Sequence, residues 1–427
     1  MSVPGGPGST VVASLRRAES DRGTGLVTLV GLWVISTRAI DTVLLIHVPS
    51  VWETTNRRYA FHALAEVLPP HVAVICVDRP VDLVVSPLKR PRRFLAGILR
   101  MKDSMPAERL CVVRPRLLVH EIAAARLPAV TAVNRRMLRR QLRGVLNRRF
   151  PTARRLIQWI HHPVQRWVFG VFPDAGRVYH CYDEYTCSSD GRFHPDRWES
   201  EVALLKDVDV AFATSPSLLK RRKSVRHQVA LFPNGAPEFF LHDRSAPDAI
   251  VAGIPEPRIV YVGSIYDFVE FRLLRELFTR RPDWQFVLIG PTRGTAGERL
   301  LQELPNVHLA GPLAQESLPG ALRRFQVGLI PFAVNAYTKP VTPLKLFEYL
   351  AAGLAVVATD LPDLQTFRHL IRLVPNTVDA FEHAIDDLLT RDGPALKNER
   401  QTAAREYTWT RIIRNHVVPV LNDAFGL

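Results

Sequence analysis

Cysteine is scarce in this chain: there are four in 427 residues, Cys76, Cys111, Cys181 and Cys187. They show no paired metal-ligand spacing and are too few for a disulfide framework. They are therefore expected as small core residues in a reducing cytoplasm, and no metal site is expected. Long hydrophobic runs are missing too. The clearest apolar stretch outside the domains, Gly25 to Ile35 between Arg22 and Arg38, covers about eleven residues against the roughly twenty that cross a bilayer. No convincing small-residue cleavage site follows it, so residues 1–40 are taken as an extension ahead of the first domain. Internal repeats are absent, which excludes a repeat architecture.

Acidic residues are deficient in one place. The chain carries 56 Lys+Arg against 41 Asp+Glu, a formal charge of +15. About twenty of those bases, against about three acids, fall between Lys89 and Arg166, enough to supply the whole excess. Such density attracts an anionic surface, either nucleic acid or phospholipid; the alternative is a solvated arginine-rich face. The aromatic interleaving and the reading modules of a nucleic-acid binder are lacking, so no nucleic-acid partner is expected.

What remains is ordinary globular composition, 47% hydrophobic and 23% charged, in a chain too long for one core. Short apolar runs alternate with amphipathic stretches, the pattern of parallel strands joined by helices. Strands are predicted at 42–48, 72–77, 110–113, 156–160, 177–181 and 208–214. Helices are predicted at 58–68, 131–149 and 198–206, the last with Trp198, Val202 and Leu205 on its inner face. The helix over 131–149 sets Met137, Leu138, Leu142, Val145 and Leu146 against Arg136, Arg139, Arg140 and Arg143. The stretch from Phe232 to Pro257 is rich in proline and has little periodicity, which marks a boundary. Alternation then resumes through 258–408. The expected organisation is an α/β protein of two doubly wound, Rossmann-like domains, 41–240 and 258–408. A linker at 241–257 joins them, and an apolar helix within 409–427 returns toward the first.

Ligands of such sheets sit beyond the strand C-termini, beside helix N-termini. In the second domain those ends carry Gly263-Ser264, Gly290-Pro291, Gly311 and Phe332. The strongest segment runs from Thr342 through Pro343, Lys345 and Glu348 to Gly353. Thr342 is predicted as the N-cap, Pro343 as the first helical residue and Gly353 as the stop. A lysine in that first turn can hold a diphosphate, and Glu348, three residues on, can accept from ribose hydroxyls; the alternative is a surface ion pair.

Pro343 through Val357 resembles the donor-binding signature of bacterial GT-B glycosyltransferases, the group around family 4 with its teichuronic-acid and exopolysaccharide relatives. Ordered matches support it: Trp159-x-His161-His162-Pro163, Tyr179-x-x-Tyr182-Asp183, Pro233-Asn234-Gly235, Tyr261-Val262-Gly263 and Asn306-Val307-His308-x-x-Gly311. The resemblance implies a nucleoside-diphosphate-sugar co-substrate, a UDP or GDP sugar, with no further cofactor. It also implies an interdomain cleft and a glycan or lipid-linked acceptor held by the first domain. Cell-surface polysaccharide synthesis at the cytoplasmic membrane face would follow, with the basic helix docked on anionic lipid. Two positions depart from the pattern. Pro340 stands where many family 4 enzymes have a second glutamate, and Ser264-Ile265-Tyr266-Asp267 replaces their basic pair. Phosphate charge would then fall to Lys345, helix dipoles and Arg293.

An inverting transferase needs a base for the acceptor hydroxyl. Asp183, Glu184, His161 and His162 are the candidates near strand ends of the first domain, with Asp183 favoured. The rival functions are a nucleotide-sugar 2-epimerase, an inactive GT-B scaffold and a nucleic-acid-binding protein.

Overall fold

The computed structural model describes residues 39–48, 50–55, 57–84, 103–120, 127–242, 250–264, 266–291, 299 and 301–427. The expected N-terminal extension lies outside them except for Ala39 and Ile40, and so does Arg293.

The N-terminal half is built from strands β1 (Thr42–His47), β2 (Val72–Val77), β3 (Val81–Asp82), β4 (Ser104–Ala107), β5 (Leu110–Val113), β6 (Arg116–Leu117), β7 (Arg155–Ile160), β8 (Gly176–Cys181), β9 (Val210–Ala213) and β10 (Val229–Leu231). Its helices are α1 (Arg58–Val67), α2 (Pro128–Arg149), α3 (Pro195–Leu205) and α4 (Pro216–Lys223). Eight strands form one sheet in the order β10-β9-β8-β7-β1-β2-β5-β4, parallel except for β4. Strand β1 shows why these segments are apolar throughout. Val43 and Leu45 enter the core on one face, and Leu44 and Ile46 enter the core on the other. A strand covered on both faces has no solvent side to alternate with.

The C-terminal half contributes β11 (Arg258–Val262), α5 (Phe271–Arg280), β12 (Gln285–Ile289), β13 (Val307–Gly311), α6 (Leu318–Leu322), β14 (Val327–Ile330), α7 (Leu344–Ala352), β15 (Ala355–Thr359), β16 (Arg372–Val374), α8 (Val378–Arg391) and α9 (Pro394–Ala404). Its six strands are parallel in the order β13-β12-β11-β14-β15-β16. Strand order reverses beside β11 here and beside β1 in the first sheet, and such switch points open a crevice for ligands.

The chain crosses between halves twice. Near Ala236 the outgoing segment takes a hydrogen bond from Trp409 N (3.1 Å) and donates one to the Tyr407 carbonyl (2.9 Å) on the returning segment. Ala236 and Phe240 already lie in the second core. The closing helical turns, Trp409–Ile412, Ile413–Val417 and Val418–Phe425, bury Trp409, Ile412, Val417 and Leu421 against the first sheet. No helix among the described residues is long and apolar enough to cross a membrane, and all four cysteines are free and buried.

Three sequence expectations shift. On α3 the buried face is Glu201, Leu204 and Leu205 rather than one centred on Trp198 and Val202, because Glu201 is drawn inward by Arg222. Met137 on α2 is half-buried, and Asn134 takes its place in the core. Asn134 is held there by Nδ2 donating to the Val119 carbonyl and Oδ1 accepting from Leu118 N, both at 2.9 Å. Arg139 leaves the exposed basic face: its guanidinium donates to the Val171 and Gly170 carbonyls at the end of the turn Pro163–Gly170.

Candidate active site

Loops from the strand C-termini of both halves meet around a cleft of about 290 Å³. The N-terminal half supplies Arg57 from the loop after β1, Tyr182 and Asp183 after β8, and Asn234 after β10. The C-terminal half supplies Gly263 after β11, Phe332, Tyr337 and Thr338 after β14, and the start of α7 with Thr342, Pro343, Lys345 and Glu348.

Helix α7 is buried from Lys345 to Ala352 and stops at Gly353 (φ 77°). Its N-cap is Pro343, one residue later than Thr342, and no side chain caps it. Thr342 instead offers its carbonyl to Asn234 Nδ2 across the cleft (2.7 Å). The first backbone N–H groups of α7 are thus left without a side-chain acceptor, with the positive end of the helix facing the cleft.

Lys345 sits in that first turn, where a cation is disfavoured by the helix dipole. It is 8% exposed. Its Nζ donates to Tyr261 Oη (3.0 Å) and lies 4.1 and 4.6 Å from the ring centroids of Tyr261 and Phe332. Tyr261 Oη passes the bond on to the Ser264 carbonyl (2.9 Å). Burial lowers the Lys345 ammonium to about 7, with the charge of Glu348 opposing the shift. Glu348 is 3% exposed and accepts from Gln315 Nε2 (2.9 Å). Burial raises its carboxyl to about 7, against the pull of Gln315 and Lys345. The alternative of a surface ion pair therefore fails, since both groups are buried and each bonds to another partner.

Gly263 and Gly290 form the ledge beside Lys345. Gly263 (φ 140°) donates to the Ile289 carbonyl (2.9 Å), and a Cβ on it would meet Lys345 Nζ at 3.0 Å. A Cβ on Gly290 (φ 156°) would stand 1.9 Å from the Gly263 carbonyl oxygen, so only glycine lets the two loops touch. Gly290 N in turn donates to Gly311 (2.9 Å). Gly290, Pro291, Gly311 and Ser264 stand behind or beside the cleft rather than lining it. His308 faces away from it and bonds Gln285 Oε1 through Nε2 (2.9 Å).

Of the four base candidates, the structure brings only Asp183 to the cleft; His161 is buried in the first half with Nδ1 donating to the His47 carbonyl (3.2 Å). Its Oδ2 accepts from Tyr337 Oη of the opposite half (3.1 Å), and Oδ1 accepts from Glu184 N (3.0 Å). Burial raises its carboxyl above the usual aspartate range, while Tyr337, the Glu184 amide and Arg57 pull the other way. Glu184 turns inward. It pairs with Arg222 (3.0 Å) and accepts from Thr186 Oγ1. Although burial opposes it, Arg222 leads the groups that hold Glu184 below the usual glutamate range, so it is a fixed anion rather than a proton acceptor. His162 caps the turn Pro163–Gly170, its Nδ1 accepting from Val164 N (3.1 Å). Burial pushes its imidazole down to about 4, with Arg197 adding to the shift. A capping ring already using Nδ1 and packed edge-on against Tyr185 is a poor base.

Arg57 is the residue that sequence reasoning missed. Its guanidinium lies 4.1 Å over the Tyr182 ring and has no hydrogen-bond acceptor among the described residues. Burial lowers it from the usual arginine value, although Tyr182, Tyr185 and Asp183 oppose that shift. The signal was available: Arg57 follows the first strand of its sheet, at the switch point, just where the equivalent loop of the second half lacks a basic pair. Tyr337 and Asn335 were also missed. Asn335 Nδ2 donates to the Ser189 carbonyl (3.0 Å), and Pro340, in place of a glutamate, offers its carbonyl to Ser215 Oγ (2.8 Å). The segment after β14 thus grips the N-terminal half.

Residues 256–391 match the family described as Glycosyl transferases group 1. The chain is 30% identical over 247 residues to TuaH of Bacillus subtilis (strain 168), named as a teichuronic acid biosynthesis glycosyltransferase. That alignment covers 56% of this chain and 56% of the relative, so the chain spans little more than half of the relative's length. Among solved structures, Anabaena HepE in complex with UDP and glucose superposes with a TM-score of 0.62 at 11% identity, covering 90% of this chain and 100% of that one. A UDP-N-acetylglucosamine 2-epimerase of Listeria monocytogenes gives 0.52 at 11% identity, covering 91% and 97%. These likenesses fix the architecture as GT-B.

Proposed function

Starting from a glycosyl transferases group 1 domain on a GT-B fold, we propose that this chain transfers a sugar from a nucleoside-diphosphate sugar to a glycan or lipid-linked acceptor in cell-surface polysaccharide synthesis. The observation that carries the reading is Lys345: an ammonium buried in the first turn of α7, facing a cleft shared by both halves, with Glu348 near enough to act on its charge but no carboxylate in ion-pair contact among the described residues. A buried cation in that position is costly unless an anion arrives. A diphosphate supplies the anion, held by Lys345, the helix N-terminus and Arg57. Glu348 accepts from ribose hydroxyls once Gln315 yields to them.

In this reading Asp183 takes the proton of the acceptor hydroxyl as its oxygen bonds to the anomeric carbon. The bond from that carbon to the diphosphate breaks, and the leaving group keeps the electron pair, its charge met by the two cations. The raised Asp183 carboxyl is the stronger base for it. The donor is a UDP or GDP sugar; the complex of HepE with UDP and glucose supports the first. The name of the Bacillus relative supports a surface polysaccharide as product. Work at the inner membrane face, with the chain held peripherally on anionic lipid, completes the proposal. A 2-epimerase is disfavoured, because Asp183 and Glu348 are the acids among the residues lining the cleft, and no histidine stands with them.

A thermal-shift screen against UDP, GDP, ADP and dTDP sugars tests the donor. One nucleotide series should raise the melting temperature, and release of that diphosphate should require an acceptor. A protein indifferent to all four sinks the proposal.

A further inference from the structure

A second cavity, of about 360 Å³, lies where the interior strands β7 and β8 begin, at the end of the first sheet opposite the cleft. Its floor includes Ile157, Val171 and Phe172, and Arg139, Arg143, Arg154 and Arg155 surround it, with Asp174 the sole acid in its lining. One wall is the last helical turn, Val418–Phe425. Phe425 packs so closely on Gly176 that a Cβ there would meet its ring at 2.6 Å, and Arg155 donates to the Phe425 carbonyl.

The neighbouring arginines show what is unusual here. On α2, Arg148 and Arg149 both pair with Asp103. Next to β8, Arg166 and Arg177 both pair with Asp207. Among the described residues, none of the four arginines around the cavity makes an ion pair, and Arg143 and Arg154 have no hydrogen-bond acceptor for their side chains. Like charges gathered without counterions repel one another. Guanidinium groups arrayed around a concavity match the oxygens of a phosphate bidentately.

We propose that this pocket binds a phosphate-bearing anion, with Arg143 and Arg154 as the principal ligands and Arg139 and Arg155 held in place by the backbone carbonyls they already serve. The site is separate from the cleft and does not depend on the transferase reading. Two sources offer the same chemistry: the phosphodiester headgroup of an anionic lipid, and a soluble phosphate such as pyrophosphate.

The test compares two double variants that remove equal charge. Arg143→Gln with Arg154→Gln empties the pocket, while Arg136→Gln with Arg140→Gln strips exposed positions of α2. Each is measured against phosphatidylglycerol–phosphatidylcholine vesicles and against inorganic pyrophosphate, at about 0.15 M salt, where diffuse attraction is screened beyond about 8 Å. The pocket pair should lose about tenfold or more in affinity, in line with two charge-assisted contacts, and the helix pair much less. Loss confined to vesicles identifies the lipid source, and loss of pyrophosphate binding identifies the soluble one. Equal losses in both pairs, or a wild type that binds neither probe, overturn the proposal. The pocket pair should melt with the wild type, since neither side chain holds the fold.

Discussion

Two buried charge clusters in this molecule are built in opposite ways. Around Arg222 every partner is present. Its guanidinium is 0% exposed and bonds Glu201 (3.0 Å) and Glu184 (3.0 Å), and Tyr179 Oη completes the group on Glu201 (2.7 Å). Around Lys345 the complement is missing: its ammonium leans on a phenol and two rings, and Arg57 beyond it has no acceptor among the described residues. The first cluster is a finished network, which specifies structure. The second holds an ammonium whose burial favours loss of its proton, and it waits for charge from outside. The difference separates a buttress from a binding site more sharply than burial or residue type does, since both are buried and both mix bases with a glutamate.

The contrast breaks most visibly at Arg222. Arg222→Ala strands Glu184 and Glu201 in the interior, and removing one partner of a buried pair costs about 3–5 kcal/mol. Denaturant melts should show that loss, with donor affinity unchanged in whatever fraction stays folded. Asp183→Asn probes the cleft side. It should cut turnover by about 10²–10⁴-fold while melting temperature and donor affinity hold. A matching fall in stability would move Asp183 to the buttress class. Arg57→Gln should weaken diphosphate binding by about 1.5–3 kcal/mol and leave nucleoside binding alone; calorimetry reads both.

The smallest effect is the most diagnostic. Lys345→Met replaces the ammonium by a linear apolar chain, and it should not lower the melting temperature of the empty protein. The sign with pH follows from the shift. Folded Lys345 titrates near 7 and the unfolded lysine in the ordinary range, near 10.5. Between those values the unfolded chain binds more protons, so the native state gains stability as pH rises. Tyr261 beside the ammonium, and Arg57 and Asp183 across the cleft, keep their places in this comparison, while Glu348 on the same helix loses the downward pull of Lys345, which costs the variant stability as pH rises and so acts in the same direction. The advantage of Lys345→Met should therefore be largest near pH 6 and shrink toward pH 10; an advantage that grows with pH contradicts the buried-ammonium account.

How much of this was legible in the sequence depended on whether one segment held the answer. Strands such as Thr42–His47 and Val72–Val77, buried at every residue, announce themselves as apolar runs. Helix α9, PALKNERQTAA, buries only Arg400 and Ala404 and was invisible to periodicity. Helix α4, with four consecutive bases, was missed for the same reason. The donor side of the site was readable because Lys345, Glu348 and Gly353 lie in one helix with its own start and stop. Its cap was misplaced by one residue because Thr342 is spent on Asn234, a contact between halves that local sequence cannot show. Glu184 and His162 looked equivalent to Asp183 by position, and only their partners, Arg222 and the Val164 amide, separate them. Arg57 and Tyr337 acquire their meaning from the opposite half.

Calorimetry of UDP and GDP against uridine and guanosine, on wild type and on Lys345→Ala, tests the central claim that the unfinished cluster receives a diphosphate. The account predicts that the variant loses about 1.5–3 kcal/mol of binding to one of the two diphosphates and almost none to the matching nucleoside. It also predicts that wild type takes up protons on binding above pH 7, where the empty ammonium is partly neutral, and that this uptake vanishes in Lys345→Ala. Equal losses for diphosphate and nucleoside, or an undiminished diphosphate affinity in the variant, would contradict it.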